Sequence, residues 1–126
     1  MSKQYVATDQ APRAIGSYSQ AVKCGNLVFI SGQIPLLPKT MEVLNDSVHN
    51  QIRLVFNNLS AVANAAGGSL ADTVKLTVFL TNLEHFPVVN EVMAEFFNEP
   101  YPARAAVGVA ALPKDVVVEI EAILAL

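Results

Sequence analysis

Hydrophobic and polar positions recur along this chain with two different periods, which predict its strands and its helices. In 20–35, "QAVKCGNLVFISGQIP", two short apolar runs flank Gly25-Asn26, a pair that tolerates the positive φ of a hairpin turn. Segment 73–81, "TVKLTVFLT", alternates and is rich in β-branched residues, which is typical of a strand. Two final strands are predicted at 103–109, "ARAAVGV", and at 116–126, "VVVEIEAILAL".

Two other segments repeat their apolar residues at helical spacing. The first follows 45–47, "NDS", whose side chains cap helix N-termini. It ends at Gly67-Gly68, because glycine adopts the left-handed geometry of a C-cap. The second is 83–98, "LEHFPVVNEVMAEFFN", with Pro87 in its first turn, where a missing N–H costs little. Segment 36–44 is predicted as a loop.

The element order ββ-α-β-α-ββ predicts an α+β fold, with both helices on one face of the sheet. We expect a single domain over residues 1–126. The strands are apolar almost throughout, so the second face of the sheet must be covered as well. No helix is left to cover it, and we expect another copy of the chain there.

The composition supports association between copies. The chain is 52% hydrophobic but only 15% charged, whereas soluble domains carry about 25% charged residues. A small domain with so few charges hides part of its surface against other subunits. We therefore expect an obligate homo-oligomer.

Charge and segment pattern argue against several partners. The net charge is −3 and the eight basic residues are scattered singly, which argues against a nucleic-acid partner. No apolar run reaches the roughly 18 residues of a membrane helix. The polar start, "MSKQYVATDQ", lacks the apolar core of a signal peptide. A single cysteine, Cys24, suits a reducing compartment. We expect a cytoplasmic protein with no membrane contact.

Metal and cofactor motifs are missing from the sequence. His49, His85 and Cys24 lie far apart with no ligand spacing, so no metal site is expected and both histidines are interpreted as surface or capping residues. No glycine-rich phosphate loop is present. We expect no cofactor.

The segment "YPARAAVGV", 101–109, holds an unusual arginine. Arg104 stands among alanines and valines that are expected to be buried. A guanidinium cannot lose its proton, so a buried arginine needs an anionic partner. The alternative is an arginine that extends from an edge strand to water. The residues alone leave both interpretations open.

Other polar residues offer weaker signals. Glu119 and Glu121 share one face of the last strand; periodicity does not say which of them is merely solvated. Tyr18 has core filling as its ordinary role, and Ser31 has turn chemistry. Asn90 is polar at an apolar helix position. A carboxylate, an arginine and hydroxyls together suit a small carboxylate ligand.

Four blocks of the chain strongly resemble the RidA (YjgF) family of enamine/imine deaminases, over essentially its full length. They are "APRAIGSYSQAV", "FISGQIP", "VFLTNLEHFPVVNEVMAEFF" and "PARAAVGVAALPKDVVVEIEAI". The resemblance implies a chorismate-mutase-like α+β fold with a mixed sheet, assembled as a homotrimer with sites between subunits. It also implies hydrolysis of 2-imino or 2-enamino acids, such as 2-iminobutyrate and 2-aminoacrylate, to 2-oxo acids and ammonia.

The resemblance also assigns site residues. Arg104 would bind the substrate carboxylate, and Glu119 would activate water with a pKa raised by burial. Tyr18, Ser31 and Asn90 would line the cleft. Glu121 would have a structural or rim role.

This chain departs from the family pattern at three positions. Ala106 stands where many members carry cysteine, so no thiol acts there and the pocket wall is wider. Ala105 stands where serine is common. Met41 replaces a turn glycine in "PKTMEV", which leaves the loop conformation open.

Two other functions compete with the deaminase. One is a non-catalytic trimer that binds small 2-oxo or amino acids in the same clefts, as a sensor. The other is ribonuclease activity, which has been attached to some relatives. An acidic chain without a basic groove does not favour it.

Overall fold

The computed structural model describes residues 2–126, which form six strands and two α-helices. The strands are β1 (Lys3–Val6), β2 (Ala21–Cys24), β3 (Leu27–Gln33), β4 (Thr73–Leu80), β5 (Ala103–Gly108) and β6 (Val118–Ala125), and the helices are α1 (Val48–Ala65) and α2 (Phe86–Phe96).

All predicted strands and helices are present, but the predicted order lacked β1. Residues Lys3 to Tyr5 of this strand are exposed and Val6 is half-buried, so no alternation of buried and exposed positions marks it. It forms because its backbone pairs with β2, from Lys3 opposite Cys24 to Val6 opposite Ala21. That pairing is a tertiary event that the local pattern does not contain.

The strands form one sheet in the order β1-β2-β3-β6-β4-β5. All neighbours are antiparallel except β4 and β5, which are parallel. A parallel pair needs a crossover connection, and α2 supplies it. This order leaves β5 at the edge of the sheet.

The core lies between the sheet and both helices. Along β6 every second side chain is buried, namely Val118, Ile120, Ala122 and Leu124. These residues belong to one cluster with the buried side chains of α1 and α2, so both helices lie on the same face, as predicted. Within this cluster the ring of Phe56 on α1 stacks on the ring of Phe96, with 5.3 Å between the ring centroids. It also meets the ring of Phe97 edge-on, with 5.7 Å between the centroids.

The opposite face of the sheet, here called the open face, carries apolar side chains too. Phe29 is 44% exposed and lies opposite Ile123. Val107 is 42% exposed and lies opposite Phe79. No helix of residues 2–126 covers these four side chains, which together define the open face.

The ends of α1 follow the predicted signals. Ser47 is the N-cap, and its hydroxyl accepts a hydrogen bond from the backbone N–H of Asn50 at 3.2 Å. Gly67 follows the helix with φ of 94°, the conformation that favours glycine. The His49 ring lies 2.8 Å from a Glu91 carboxylate oxygen, which links the surfaces of α1 and α2.

Met41 adopts a left-handed backbone conformation, which is uncommon for a residue other than glycine. Its φ is 62°, and its side chain is buried in a small cluster with Ile34, Leu36 and Val116. A non-glycine residue in this region costs about 1–2 kcal/mol. Burial of a methionine side chain contributes about 1.5–3 kcal/mol, which offsets that strain.

Candidate functional site

Arg104 lies on edge strand β5, and its side chain reaches across α2. Its Nη1 donates a 2.6 Å hydrogen bond to Oδ1 of Asn90 and a 3.4 Å hydrogen bond to Sδ of Met93. The guanidinium carbon lies 4.6 Å from the ring centroid of Phe86, within range of a cation–π contact. These uncharged partners orient the guanidinium without neutralising its charge.

The salt bridges within residues 2–126 do not involve Arg104. They join His49 to Glu91 and Arg53 to Glu95. A groove of about 400 Å³ opens beside the guanidinium, lined by Asn90, Met93, Tyr101, Pro102 and Arg104. The arginine therefore presents an available positive charge to a cavity large enough for a small anion.

The prediction that the neighbours of Arg104 are buried is wrong. Within β5, Ala105 and Val107 are exposed and Ala106 is partly buried, against the hydrophobic core. The physical reason is the position of β5 at the sheet edge, with no helix of residues 2–126 on its open-face side. Ala106 lines neither the groove beside Arg104 nor the groove around Glu119.

Glu119 lies in a second groove, of about 540 Å³, whose lining residues all differ from those of the groove beside Arg104. Its lining combines hydroxyls, carboxylates, one arginine and aliphatic side chains. The lining residues are Pro12, Arg13, Ile15, Tyr18, Ser31, Gly32, Gln33, Ile34, Leu36, Pro113, Glu119 and Glu121.

The carboxyl group of Glu119 has an altered acidity. Burial raises its pKa above the usual value, and the neighbouring charge of Glu121 raises it further. Both effects disfavour the ionised form. Glu119 is half-buried and Glu121 exposed, so Glu121 is the better solvated of the pair that periodicity could not separate.

The two hydroxyl residues named from the sequence line the same groove as Glu119. Tyr18 is 49% exposed, so its ordinary role as core filling does not apply. Its hydroxyl oxygen accepts a 3.4 Å hydrogen bond from the Ile15 backbone N–H. Ser31 donates its hydroxyl to the carbonyl oxygen of Ser19 at 2.6 Å, which holds that hydroxyl oxygen beside the groove.

Gly32, which follows Ser31 in the sequence, also lines this groove and was not among the predicted site residues. The pairing of β3 with β6 shifts between Ile30 and Gln33. Ser31 and Gly32 are therefore the two residues of a β-bulge, a feature that redirects side chains and is common beside active sites. The Ser-Gly pair inside an otherwise apolar strand was the available signal.

A single chain does not bring Arg104 and Glu119 together. Arg104 lies opposite Leu76 of β4, whose side chain is buried under the helices. Glu119 lies opposite Phe79, on the open face. The predicted residues thus fall into two groups, Arg104 with Asn90, and Glu119 with Tyr18 and Ser31.

The chain matches a known protein family over most of its length. The family model described as Endoribonuclease L-PSP matches residues 8–126. The chain belongs to this family, the RidA (YjgF) family. The fold agrees, because RidA from the Antarctic bacterium Psychrobacter superposes with a TM-score of 0.94 at 56% identity, covering 98% of this chain and 99% of that one.

Relatives within the RidA family include proteins named as deaminases. The reactive intermediate deaminase TdcF of Escherichia coli is 50% identical over 124 residues, 96% of this chain and 95% of TdcF. The 2-iminobutanoate/2-iminopropanoate deaminase of Dermatophagoides farinae is 46% identical over 121 residues, 96% of this chain and 94% of that one. A structure of Escherichia coli TdcF with bound serine superposes with a TM-score of 0.92 at 48% identity, covering 98% of each chain.

The described residues offer neither a metal-binding cluster nor a membrane-spanning helix. Within residues 2–126, no three His, Cys, Asp or Glu side chains are grouped closely enough to hold a metal ion. None of the helices in that range is both long and apolar enough to cross a bilayer.

Proposed function

We propose that this protein hydrolyses reactive 2-imino and 2-enamino acids, such as 2-iminobutyrate and 2-aminoacrylate, to 2-oxo acids and ammonia. The observation that carries the proposal is Arg104, a guanidinium that is held in place by neutral partners and faces a groove. A guanidinium whose contacts are all neutral can bind an anionic ligand in the groove. The names of the relatives from Escherichia coli and Dermatophagoides farinae support the same reaction class.

Arg104 binds the substrate carboxylate. A guanidinium presents parallel N–H donors that match the two oxygens of a carboxylate, and each hydrogen bond to a charged group contributes about 1.5–3 kcal/mol. One Nη1 hydrogen already points at Asn90, so the remaining donors are directed by that contact. Asn90 therefore orients the guanidinium toward the substrate carboxylate.

The active site is formed by two copies of the chain. Arg104 and Glu119 must both reach one small substrate, yet they lie on opposite faces of the sheet. The apolar open face offers a surface on which a second copy can pack. A homotrimer, with Arg104 of one copy facing Glu119 of the next, satisfies both requirements and gives three equivalent sites.

Glu119 is the acid–base group of the reaction. Its ionised carboxylate accepts a proton from water while the water oxygen bonds to the imine carbon, and that proton passes to the imine nitrogen. The product is a tetrahedral intermediate with one hydroxyl and one amino group. Glu119 then takes the hydroxyl proton and delivers it to the nitrogen as the C–N bond breaks, which releases ammonia and leaves the 2-oxo acid.

The environment of Glu119 suits this double use. Burial and the charge of Glu121 raise its pKa. The shift brings the pKa closer to neutral pH, where a group both accepts and donates protons most effectively. The hydroxyls of Tyr18 and Ser31 line the same groove and bind the attacking water or the substrate nitrogen. Ala106, which lines neither groove of a single chain, becomes pocket wall where two copies meet. Water is the only co-reactant, and no cofactor is required.

A binding protein without catalysis is the second candidate. The solved structure of TdcF with bound serine favours it, because that relative holds a small amino acid. In this alternative Arg104 still binds a carboxylate, whereas Glu119 does no proton transfer. The family model also carries an endoribonuclease description, so RNA cleavage belongs among the activities to be tested.

The decisive experiment follows the imine itself. Purified protein is added to a threonine dehydratase reaction, and the disappearance of transient 2-iminobutyrate is recorded. We expect clear acceleration with wild type, and no cleavage of a single-stranded RNA in a parallel assay. Absence of acceleration together with tight binding of 2-oxobutyrate would leave the binding protein as the function.

Two variants separate binding from chemistry. Arg104→Ala loses at least two charge-assisted hydrogen bonds, and kcat/KM falls about 10²-fold or more. Glu119→Gln keeps the shape of the side chain but removes the base, and kcat falls about 10²- to 10⁴-fold. Binding of 2-oxobutyrate weakens in Arg104→Ala and stays near wild type in Glu119→Gln. Wild-type kinetics in Arg104→Ala would refute the site assignment.

A further inference from the structure

The carboxylate of Glu119 lies directly over the backbone of Gly32. A Cβ atom built on Gly32 would fall 2.9 Å from Cδ of Glu119 and 3.0 Å from its Cγ, with one carboxylate oxygen closer still. Real side chains do not approach so closely, so the Glu119 carboxylate occupies the space that any other residue at position 32 would fill.

The requirement for glycine at this position is steric. The glycines with positive φ within residues 2–126 are Gly25 and Gly67, and Gly32 belongs to strand β3. Its φ is therefore one that alanine adopts without strain. Only the missing Cβ distinguishes glycine from alanine here.

The bulge in β3 creates this close approach. Ser31 and Gly32 of β3 together lie opposite the single residue Glu121 of β6, between the pairs Ile30–Ala122 and Gln33–Ile120. The extra residue brings Gly32 beneath the side chain that precedes Ile120. Serine and glycine of the bulge thus face the groove together with Glu119.

We propose that Gly32 is a positioning residue, which holds the Glu119 carboxylate in its place in the groove by leaving the space of a Cβ empty. The inference rests on the proposed function where Glu119 is the acid–base group. The geometric part, namely that residue 32 decides where this carboxylate lies, stands independently of any activity.

Gly32→Ala is expected to fold and to move the carboxylate. The atoms in conflict with the new methyl group belong to the end of a flexible side chain, so Glu119 rotates away toward solvent and the strand remains intact. A displacement of about 1 Å at a reacting group lowers the rate about 10²-fold. Because Arg104 is untouched, the loss falls on kcat while KM changes little.

The first measurement needs no activity. The pKa of Glu119 is determined by NMR titration of its carboxyl carbon in wild type and in Gly32→Ala. Burial is the main cause of the raised value, so a carboxylate moved toward solvent titrates at lower pH in the variant. The other charged groups that line this groove, Arg13 and Glu121, are the same in both proteins.

Gly16→Ala is the matched control. A Cβ on Gly16 would lie 3.6 Å from ring carbons of Tyr18, an ordinary contact that does not involve Glu119. It is expected to leave the Glu119 titration unchanged. An unchanged Glu119 pKa in Gly32→Ala, with the protein folded by circular dichroism, would overturn the proposal.

The kinetic measurement tests whether Gly32 acts through Glu119. In the wild-type background, Gly32→Ala lowers kcat about 10²-fold; in the Glu119→Gln background it adds little further loss, because the group that it positions is already inactive. Equal losses in both backgrounds would overturn the positioning role. If wild type shows no imine hydrolysis while the titration shifts as expected, the proposed function fails and the geometric inference stands.

Discussion

Asn90 accepts a 2.6 Å hydrogen bond from Arg104, and this contact joins an exposed residue of α2 to the edge strand β5. A neutral acceptor fixes the direction of the guanidinium and leaves its charge available. A carboxylate at the same place would fix the direction equally well and would also compete with a bound anion. The choice of asparagine is therefore informative about ligand charge.

Substitution of Asn90 tests that inference with a matched pair. Asn90→Ala removes the contact that directs the guanidinium, and a loss of about 1 kcal/mol in carboxylate binding raises KM for the imine about fivefold. Asn90→Asp gives Arg104 an internal carboxylate, so KM rises further, about 10²-fold. The measurement is steady-state kinetics with each variant, supported by titration with 2-oxobutyrate. Equal or tighter ligand binding by Asn90→Asp would contradict an anion site at Arg104.

Glu119 gives a pH dependence of stability whose sign follows from its raised pKa. The pKa of an ordinary glutamate is about 4.3; in the folded protein burial, and then the charge of Glu121, raise it. Between the ordinary pKa and the raised pKa of the folded protein, the folded state binds more protons than the unfolded state. Stability therefore falls as pH rises through this range. Glu119→Gln removes this cost, so its thermal midpoint exceeds that of wild type at pH 7.

The comparison at low pH is the control for that prediction. Below about pH 4 the wild-type carboxyl is itself protonated in both states, and the advantage of Glu119→Gln shrinks. Differential scanning calorimetry at the two pH values, at one fixed protein concentration, measures both differences. A gain of the same size at both pH values would mean that ionisation of Glu119 is not its cause.

Met41 predicts an order of stability among three residues at one position. Met41→Gly relieves a left-handed strain of about 1–2 kcal/mol but removes a buried side chain and leaves a cavity, which together cost about 2–5 kcal/mol, so the free energy of unfolding falls. Met41→Ala loses nearly the same packing and keeps the strain, so it falls further. Urea unfolding at equal protein concentration ranks the three. If Met41→Ala were more stable than Met41→Gly, the inference of left-handed strain at position 41 would be wrong.

The open face gives a prediction about assembly. Phe29→Glu places a charge at an apolar position that is 44% exposed in one chain, and an unpaired buried charge costs several kcal/mol. Sedimentation velocity should show a trimer for wild type and a smaller species for the variant, with imine hydrolysis lost. Asn57→Glu adds the same charge to the exposed side of α1 and should leave the assembly intact. A monomer that retained activity would contradict the two-chain site.

Local sequence determined most of the elements and identified the candidate site residues of this protein. Helix α1 was predictable with its cap Ser47 and its terminating Gly67, because periodicity and capping depend on residues a few positions apart. Arg104 and Glu119 were identifiable because each is a charged residue in an apolar strand within a motif of the family. Alternation also assigns each strand its own two faces.

Tertiary structure decided how those faces are combined. Alternation within β5 and within β6 does not relate one strand to the other; only the pairing of both with β4 puts Arg104 on the helix side and Glu119 on the open face. The exposed strand β1, the edge position of β5 and the bulge that brings Gly32 beneath Glu119 depend likewise on backbone hydrogen bonds between distant segments. The candidate site residues can thus be identified from the local sequence, whereas their division between two surfaces is set by strand order and register, which local periodicity does not encode.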